Sequence, residues 1–429
     1  MFASSVAELQ VVFEEQQVDL NPIDKKVARK PAQQLVLRIG TDYFYIIRDG
    51  QITAYDFAQG KIMRYKDSNK ISESPFEAVV AERLEGFLQE VEIFRIMSNA
   101  NALKERDRFG IFNLESKYAL QTDIHSAVKP AKTPAGSKKY AYTLNSDMVV
   151  TYQVSKEQLI RQEVAYFERF LLYECRIHPE VRKDILAYRK VPQTLIYRYG
   201  LGHDRRETTL TMLSAKRIRD TVFTDEMRDG SRPPIGDLEK LFVSAVENVA
   251  ENALNPNDYR RMFTSSLRQS YFLDAMLTNV ELYLQTGSSI SRAVELLKPQ
   301  LDIAPNLDRF FSGLDTNTPE AAAESLRQLK EIDRTNVFRQ HIIDISMANA
   351  LRETDQYVAA EKHYLEALRS NPYLTGVYVD LGDLYYRMNL MPKAWSAWQM
   401  AQDLLPGHPM LDTVFERNAF LRERFPEYF

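Results

Sequence analysis

The chain has 429 residues, 45% of them hydrophobic and 27% charged, a balance that excludes long collagenous or unfolded stretches and leaves room for two or three domains. Fifty-five lysines and arginines stand against 59 acidic residues, and the resulting net charge of -4 excludes the basic excess that nucleic-acid binding through phosphates requires. With a single cysteine, Cys175, neither an intramolecular disulfide nor a multi-cysteine zinc site can form.

No stretch reaches the roughly 18 consecutive apolar residues of a membrane span. Glu8, Glu14, Glu15 and Asp19 occupy the region where a signal peptide would carry a basic start and an apolar run. As written, the chain is expected in the cytoplasm; the alternative, if a leader has been removed, is a periplasmic or secreted protein.

From Gln34 to Lys66 the pattern alternates as strands do, with Leu35, Leu37 and Ile39 on one face and turns at Asp49-Gly50 and Gln59-Gly60, which predicts a β-meander of three or four antiparallel strands. A helix is expected next, capped by Ser74 with Pro75 and Glu77 and carrying Phe76, Val79, Val80, Leu84, Leu88 and Val91 on its apolar stripe. Residues Ile111 to Leu120 and Met148 to Val154 return to strand composition, and the stretch from Lys129 to Lys139 between them reads as a loop. A second helix is expected from Ser155, with Gln158 completing its capping box, through Ile160, Val164, Phe167, Leu171 and Cys175, which makes Cys175 a core thiol. Thr194 to Tyr199 and Thr208 to Leu213 complete the strands. The expected fold is α+β: an N-terminal antiparallel sheet with helices over residues 1–230, followed by an all-α region over 235–429. The meander with Asp49-Gly50 and Tyr55-Asp56 resembles that of the periplasmic lipoprotein-carrier family, whose curved sheets hold acyl chains.

Beyond Asp229-Gly230-Ser231-Arg232-Pro233-Pro234 the pattern is helical throughout. Thirty-four residues separate Ala360 from Ala394, and the same shift superimposes Tyr364 on Trp398, Ala367 on Ala401 and Pro372 on Pro406. With Tyr378, Leu381, Gly382 and Tyr385 in the last unit, this region resembles the tetratricopeptide repeat family, its clearest units being 341–374 and 375–408 with a capping helix over 411–425. Asp344 departs from the pattern, standing where a large apolar residue is usual, and Ala348 replaces the glycine. Weaker units start near residue 274 (Leu277, Val280, Leu284, Ala293, Leu297) and again around Ala322, Leu326 and Leu329; Leu238 to Leu254 and Asn257 to Ser270 form one more helix pair.

The resemblance implies a superhelix whose first helices line a groove for a protein or peptide, through Ile342, Ile345, Asn349 and Arg352 in one unit and Val379, Asp383 and Tyr386 in the next. Ile345 stands where family members that clamp a terminal carboxylate carry lysine, which disfavours that mode. The competing expectation is that the N-terminal domain docks into this groove within the same chain.

No histidine pair has metal-site spacing, and no phosphate-binding glycine loop, nucleophile elbow or dinucleotide fingerprint occurs. His203-Asp204 between two strands is explained by a polar turn, and Lys216, Arg217 and Arg219 by a solvated face. The sequence therefore implies no cofactor and no metal, and points to a non-catalytic adaptor or scaffold. The alternative is a carrier or sensor that holds an apolar ligand on the sheet and uses the repeats for assembly.

Overall fold

The computed structural model describes residues 7–20, 27–67, 69–85, 88, 131–144, 147–199, 206–219, 223, 227, 236–252 and 254–429. The expectations placed on Ile111 to Leu120, on Val91 and on His203-Asp204 lie outside the described residues. Two compact units form, one from Met1–Arg232 with Leu421–Phe429 and the other from Pro233–Phe420.

The first unit is built on one antiparallel sheet of twelve strands: β1 (Glu8–Leu20), β2 (Val27–Arg29), β3 (Gln33–Ile39), β4 (Tyr43–Arg48), β5 (Gln51–Asp56), β6 (Lys61–Lys66), β7 (Asn69–Pro75), β8 (Ala131–Gly136), β9 (Lys139–Leu144), β10 (Asp147–Gln158), β11 (Lys190–Tyr199) and β12 (Arg206–Ile218). Their order is 7-6-5-4-3-1-12-11-10-9-8, with β2 added to β1. Two meanders thus meet on β1, which pairs with β3 on one side and β12 on the other. The Asp49-Gly50 turn joins β4 to β5 with φ of 50° and 73°, the left-handed conformation a two-residue hairpin needs.

Helix α1 (76–85) follows β7, and α2 (Arg161–Tyr173) and α3 (Pro179–Ala187) lie between β10 and β11. Helix α2 packs on β3 and β4 and buries Phe167, Phe170 and Leu171. Rings fill this face: Phe13 stacks on Phe170 at 6.4 Å and Phe44 on Tyr55 at 4.4 Å. On the opposite face Tyr45, Ala54, Met63 and Tyr65 form a second core closed by Phe223. The tail joins this unit, with Leu421, Phe425 and Tyr428 buried and the Tyr173 hydroxyl donating to the Tyr428 carbonyl at 2.8 Å.

Three local expectations are corrected. Ser74 and Pro75 end β7 rather than cap a helix, since Lys61 pairs with Pro75 and Ile62 with Ser74 in the sheet. Ser155 lies inside β10, where its hydroxyl donates to the Val191 carbonyl at 2.5 Å; α2 begins only after Ile160, whose amide donates to the Glu163 carboxylate at 2.8 Å. The expected loop from Lys129 to Lys139 contains β8 and the start of β9; every residue of β8 is exposed because it is the last strand of the sheet.

Cys175 falls just beyond α2, fully buried, and burial pushes its thiol far above the ordinary range. We expect the native protein to resist alkylation by iodoacetamide at pH 8 and to react fully in denaturant, as mass spectrometry would show; rapid native labelling would contradict this burial.

The second unit is all helix: α4 (Asp237–Asn252), α5 (Pro256–Arg268), α6 (Phe272–Thr286), α7 (Ser291–Leu297), α8 (Pro305–Ser312), α9 (Pro319–Lys330), α10 (Gln340–Glu353), α11 (Tyr357–Ser370), α12 (Thr375–Arg387), α13 (Met391–Leu404) and α14 (Asp412–Arg424), the last running on into the tail. Asn255 accepts from the Asn257 and Asp258 amides to start α5 ahead of Pro256, and Thr318 accepts from the Ala321 amide to start α9 ahead of Pro319.

The pairs α10–α11 and α12–α13 repeat one another in chemistry as well as sequence. The Tyr364 hydroxyl donates to Asn349 Oδ1 at 2.5 Å, and thirty-four residues on Trp398 Nε1 donates to Asp383 Oδ1 at 3.2 Å. Gly382 is small because a Cβ there would lie 2.2 Å from the Trp398 ring. Asp344, the departure from the pattern, is met by Arg334 at 2.8 Å and His363 at 3.7 Å, so an ion pair replaces the usual apolar contact.

Candidate partner-binding surface

The seven expected groove residues divide into two groups. Ile342, Ile345 and Val379 are buried, exposing 0%, 3% and 1% of their surface. Helix α6 packs against both α10 and α12, and polar groups fix it there. Glu281 of α6 accepts from Arg339 Nε at 2.6 Å and from Asn371 Nδ2 at 2.8 Å, and lies 3.0 Å from His341 Nε2. Burial works to raise the pKa of the Glu281 carboxyl, but these partners outweigh it and hold the group below its ordinary value. The three apolar positions are therefore interior residues of the helical unit rather than an apolar surface presented to a ligand.

The four polar positions are tied into a network. Arg352 donates to Asp380 at 3.1 Å and to Glu353 at 3.2 Å, while Arg387 reaches the other Glu353 oxygen at 2.6 Å. Asn349 and Asp383 accept from Tyr364 and Trp398 as described, and the Arg417 guanidinium lies 3.9 Å from the centre of the Tyr386 ring. Burial pushes the Asp380 carboxyl up to about 6 against the pull of Arg352, and burial raises Asp383 as well. Such a network links α10, α12 and α14 through their own side chains.

Sequence reasoning missed a different feature at the start of α6 and α10. Phe338 is 75% exposed and Tyr271 is 50% exposed. The buried carboxylate of Asp274, three residues after Tyr271, accepts the Phe338 amide at 2.9 Å. The next residue, Arg339, is pinned by Glu281 and reaches the Met262 sulfur at 2.9 Å. Two large rings thus stand in solvent, and the Phe338 amide beneath one of them is held by a buried carboxylate. No periodic signal marks them, since Phe338 lies in a connection and Tyr271 just ahead of its helix; the only trace is an aromatic residue beside a cap position.

Among the described residues no helix is long and apolar enough to cross a membrane. No protein-family model matches the chain, and no curated protein matches it closely enough to count as a relative.

Proposed function

We propose that this protein is a non-catalytic adaptor whose helical unit, built on tetratricopeptide-like hairpins, holds a partner protein through the Tyr271–Phe338 surface. The observation that carries this reading is Phe338, an aromatic side chain left three-quarters in solvent while its amide is held by the buried Asp274 carboxylate and the next side chain, Arg339, is paired with Glu281. Burying a phenylalanine stabilises an association by about 1.5 to 3 kcal/mol, and rigid, pre-placed aromatic rings lose little entropy on binding. The packing of α6 against α10 and α12 supports a structural role for the first-helix face and leaves binding to the exposed rings.

The carrier alternative draws support from the unbroken antiparallel order of the sheet, with α2 and α3 on one face. That face is occupied by its own rings, Phe13, Phe44, Tyr55 and Phe170, where an acyl chain would lie. The adaptor reading is therefore preferred.

The test is capture from a lysate of the source cells with the full-length protein and with the double variant Tyr271→Ser, Phe338→Ser. Both side chains are exposed, so the variant should melt within about 0.5 kcal/mol of the parent, yet lose a protein that the parent retains stoichiometrically. Identical captured proteins from the two would remove the reading.

A further inference from the structure

At the β8 edge of the sheet, three tyrosines cluster beside a lysine that lies over one of them. Tyr140 of β9, Tyr152 of β10 and Tyr188, which follows α3, lie within 6.4 Å of one another by ring centres: 5.4 Å for 140 and 152, 5.9 Å for 140 and 188, and 6.4 Å for 152 and 188. The ammonium of Lys132, from β8, sits 4.3 Å from the centre of the Tyr140 ring and 2.7 Å from Asp184 Oδ1 of α3. The second carboxylate oxygen, Oδ2, accepts from the hydroxyls of Tyr142 at 2.7 Å and Tyr152 at 2.5 Å. Register explains the assembly, since Tyr152 pairs with Tyr140 and Lys132 with Tyr142 across neighbouring strands, and α3 packs on β10 and β11.

We propose that Tyr140, Tyr152 and Tyr188 with Asp184 form a binding site for a primary alkylammonium group, the side chain of a lysine in a bound peptide, and that Lys132 is its resident occupant. A solvated surface ion pair gathers no rings, and is worth ~0 to 1 kcal/mol. Here the face of the Tyr140 ring and an oriented carboxylate meet on one cation, with Tyr152 and Tyr188 packed beside Tyr140, the kind of arrangement by which proteins hold ammonium groups. The carboxylate is prepared for a positive charge: burial would raise its pKa, but the hydrogen bonds from Lys132, Tyr152 and Tyr142 hold it below the ordinary value. A primary ammonium fits better than a quaternary one because Oδ1 takes an N–H hydrogen bond that a quaternary nitrogen cannot give. Lys132 is suited to displacement because it reaches the site from a terminal strand whose residues are all exposed, with its own side chain 35% in solvent.

The probe is Nα-acetyl-lysine methylamide, titrated by NMR into the full-length protein and into Lys132→Ala, with Nα-acetyl-norleucine methylamide as the uncharged control and the trimethyllysine analogue as the quaternary one. Vacating the site should tighten the lysine probe about tenfold, near 1.4 kcal/mol, with the trimethyl analogue weaker and the norleucine compound unbound. Adding Asp184→Asn or Tyr188→Leu to Lys132→Ala should undo the gain; Tyr188 is partly exposed, so its variant keeps the test valid if the aspartate variant misfolds. Equal binding by the parent and Lys132→Ala, equal binding of norleucine, or no binding up to about 50 mM, where even interactions weaker than ~2 kcal/mol would register, would overturn the proposal.

Discussion

Ile345→Ala is expected to lower the stability of the helical unit by about 3 kcal/mol, the usual cost of emptying a buried isoleucine site whose surroundings relax only in part. The residue is 3% exposed on α10, among Ile342 and Ile343, both fully buried. An isoleucine on an open groove would tolerate the same change within about 0.5 kcal/mol, so the two arrangements differ by a factor well outside experimental error. Both tryptophans of the chain, Trp395 and Trp398, belong to α13, so tryptophan emission during urea unfolding reports the helical unit alone. An unchanged transition would mean that the first-helix face is open after all.

Removing the Arg352 side chain has a comparable effect for a different reason. Arg352→Leu leaves Asp380 and Asp383 facing each other across one turn of α12 without the cation between them, and breaking a buried pair in this way costs about 3 to 5 kcal/mol. The loss depends on pH with a definite sign. In the folded parent the Asp380 carboxyl titrates near 6, above the 3.8 of an ordinary aspartate. A raised carboxyl binds more protons folded than unfolded, so its contribution to stability is full below about pH 4 and lost as pH rises through 6. At ~1.4 kcal/mol per pH unit, the contribution amounts to ~3 kcal/mol, and Asp380→Asn should abolish that part of the slope. Without Arg352 the carboxyl holds its proton more tightly still, so the damage should be smaller at pH 5 than at pH 8. Urea transitions of the three proteins at both values decide the matter; a loss independent of pH would rule out a buried carboxyl as the cause.

The parts of the molecule that were legible in the sequence are those whose packing is local. The thirty-four-residue spacing of Ala360, Tyr364 and Ala367 against Ala394, Trp398 and Ala401 reflects contacts inside each helix pair, and the structure places all six in the core. Strands β3 to β6 were legible because Leu35, Leu37 and Ile39 alternate and Asp49-Gly50 supplies the turn. Strand β1 was not. Glu8 and Glu15 look solvated, yet both are buried, Glu8 receiving the Tyr43 and Tyr45 hydroxyls and Glu15 receiving Arg48 and Gln33, partners that only the folded sheet brings near. The serine signals at 74 and 155 failed because a hydroxyl followed three residues on by glutamate or glutamine satisfies a helix start and a strand end equally well until pairing is known. Helix α6, which packs against α10 and α12, is fastened by Glu281 to Arg339, His341 and Asn371 from about sixty to ninety positions away, a distance no local pattern spans. The tyrosine site around Asp184 is hidden for the same reason, its five side chains coming from three strands and the neighbourhood of one helix.

The most direct test of the adaptor reading is site-specific photo-cross-linking in the source cells, with a benzoylphenylalanine placed at Phe338 in one protein and at Tyr386 in another. The proposed surface predicts a discrete adduct with a second protein from position 338 and none from 386, which lies against Arg417 on the first-helix side. An adduct from 386 with none from 338 would return the binding site to the groove and contradict the account.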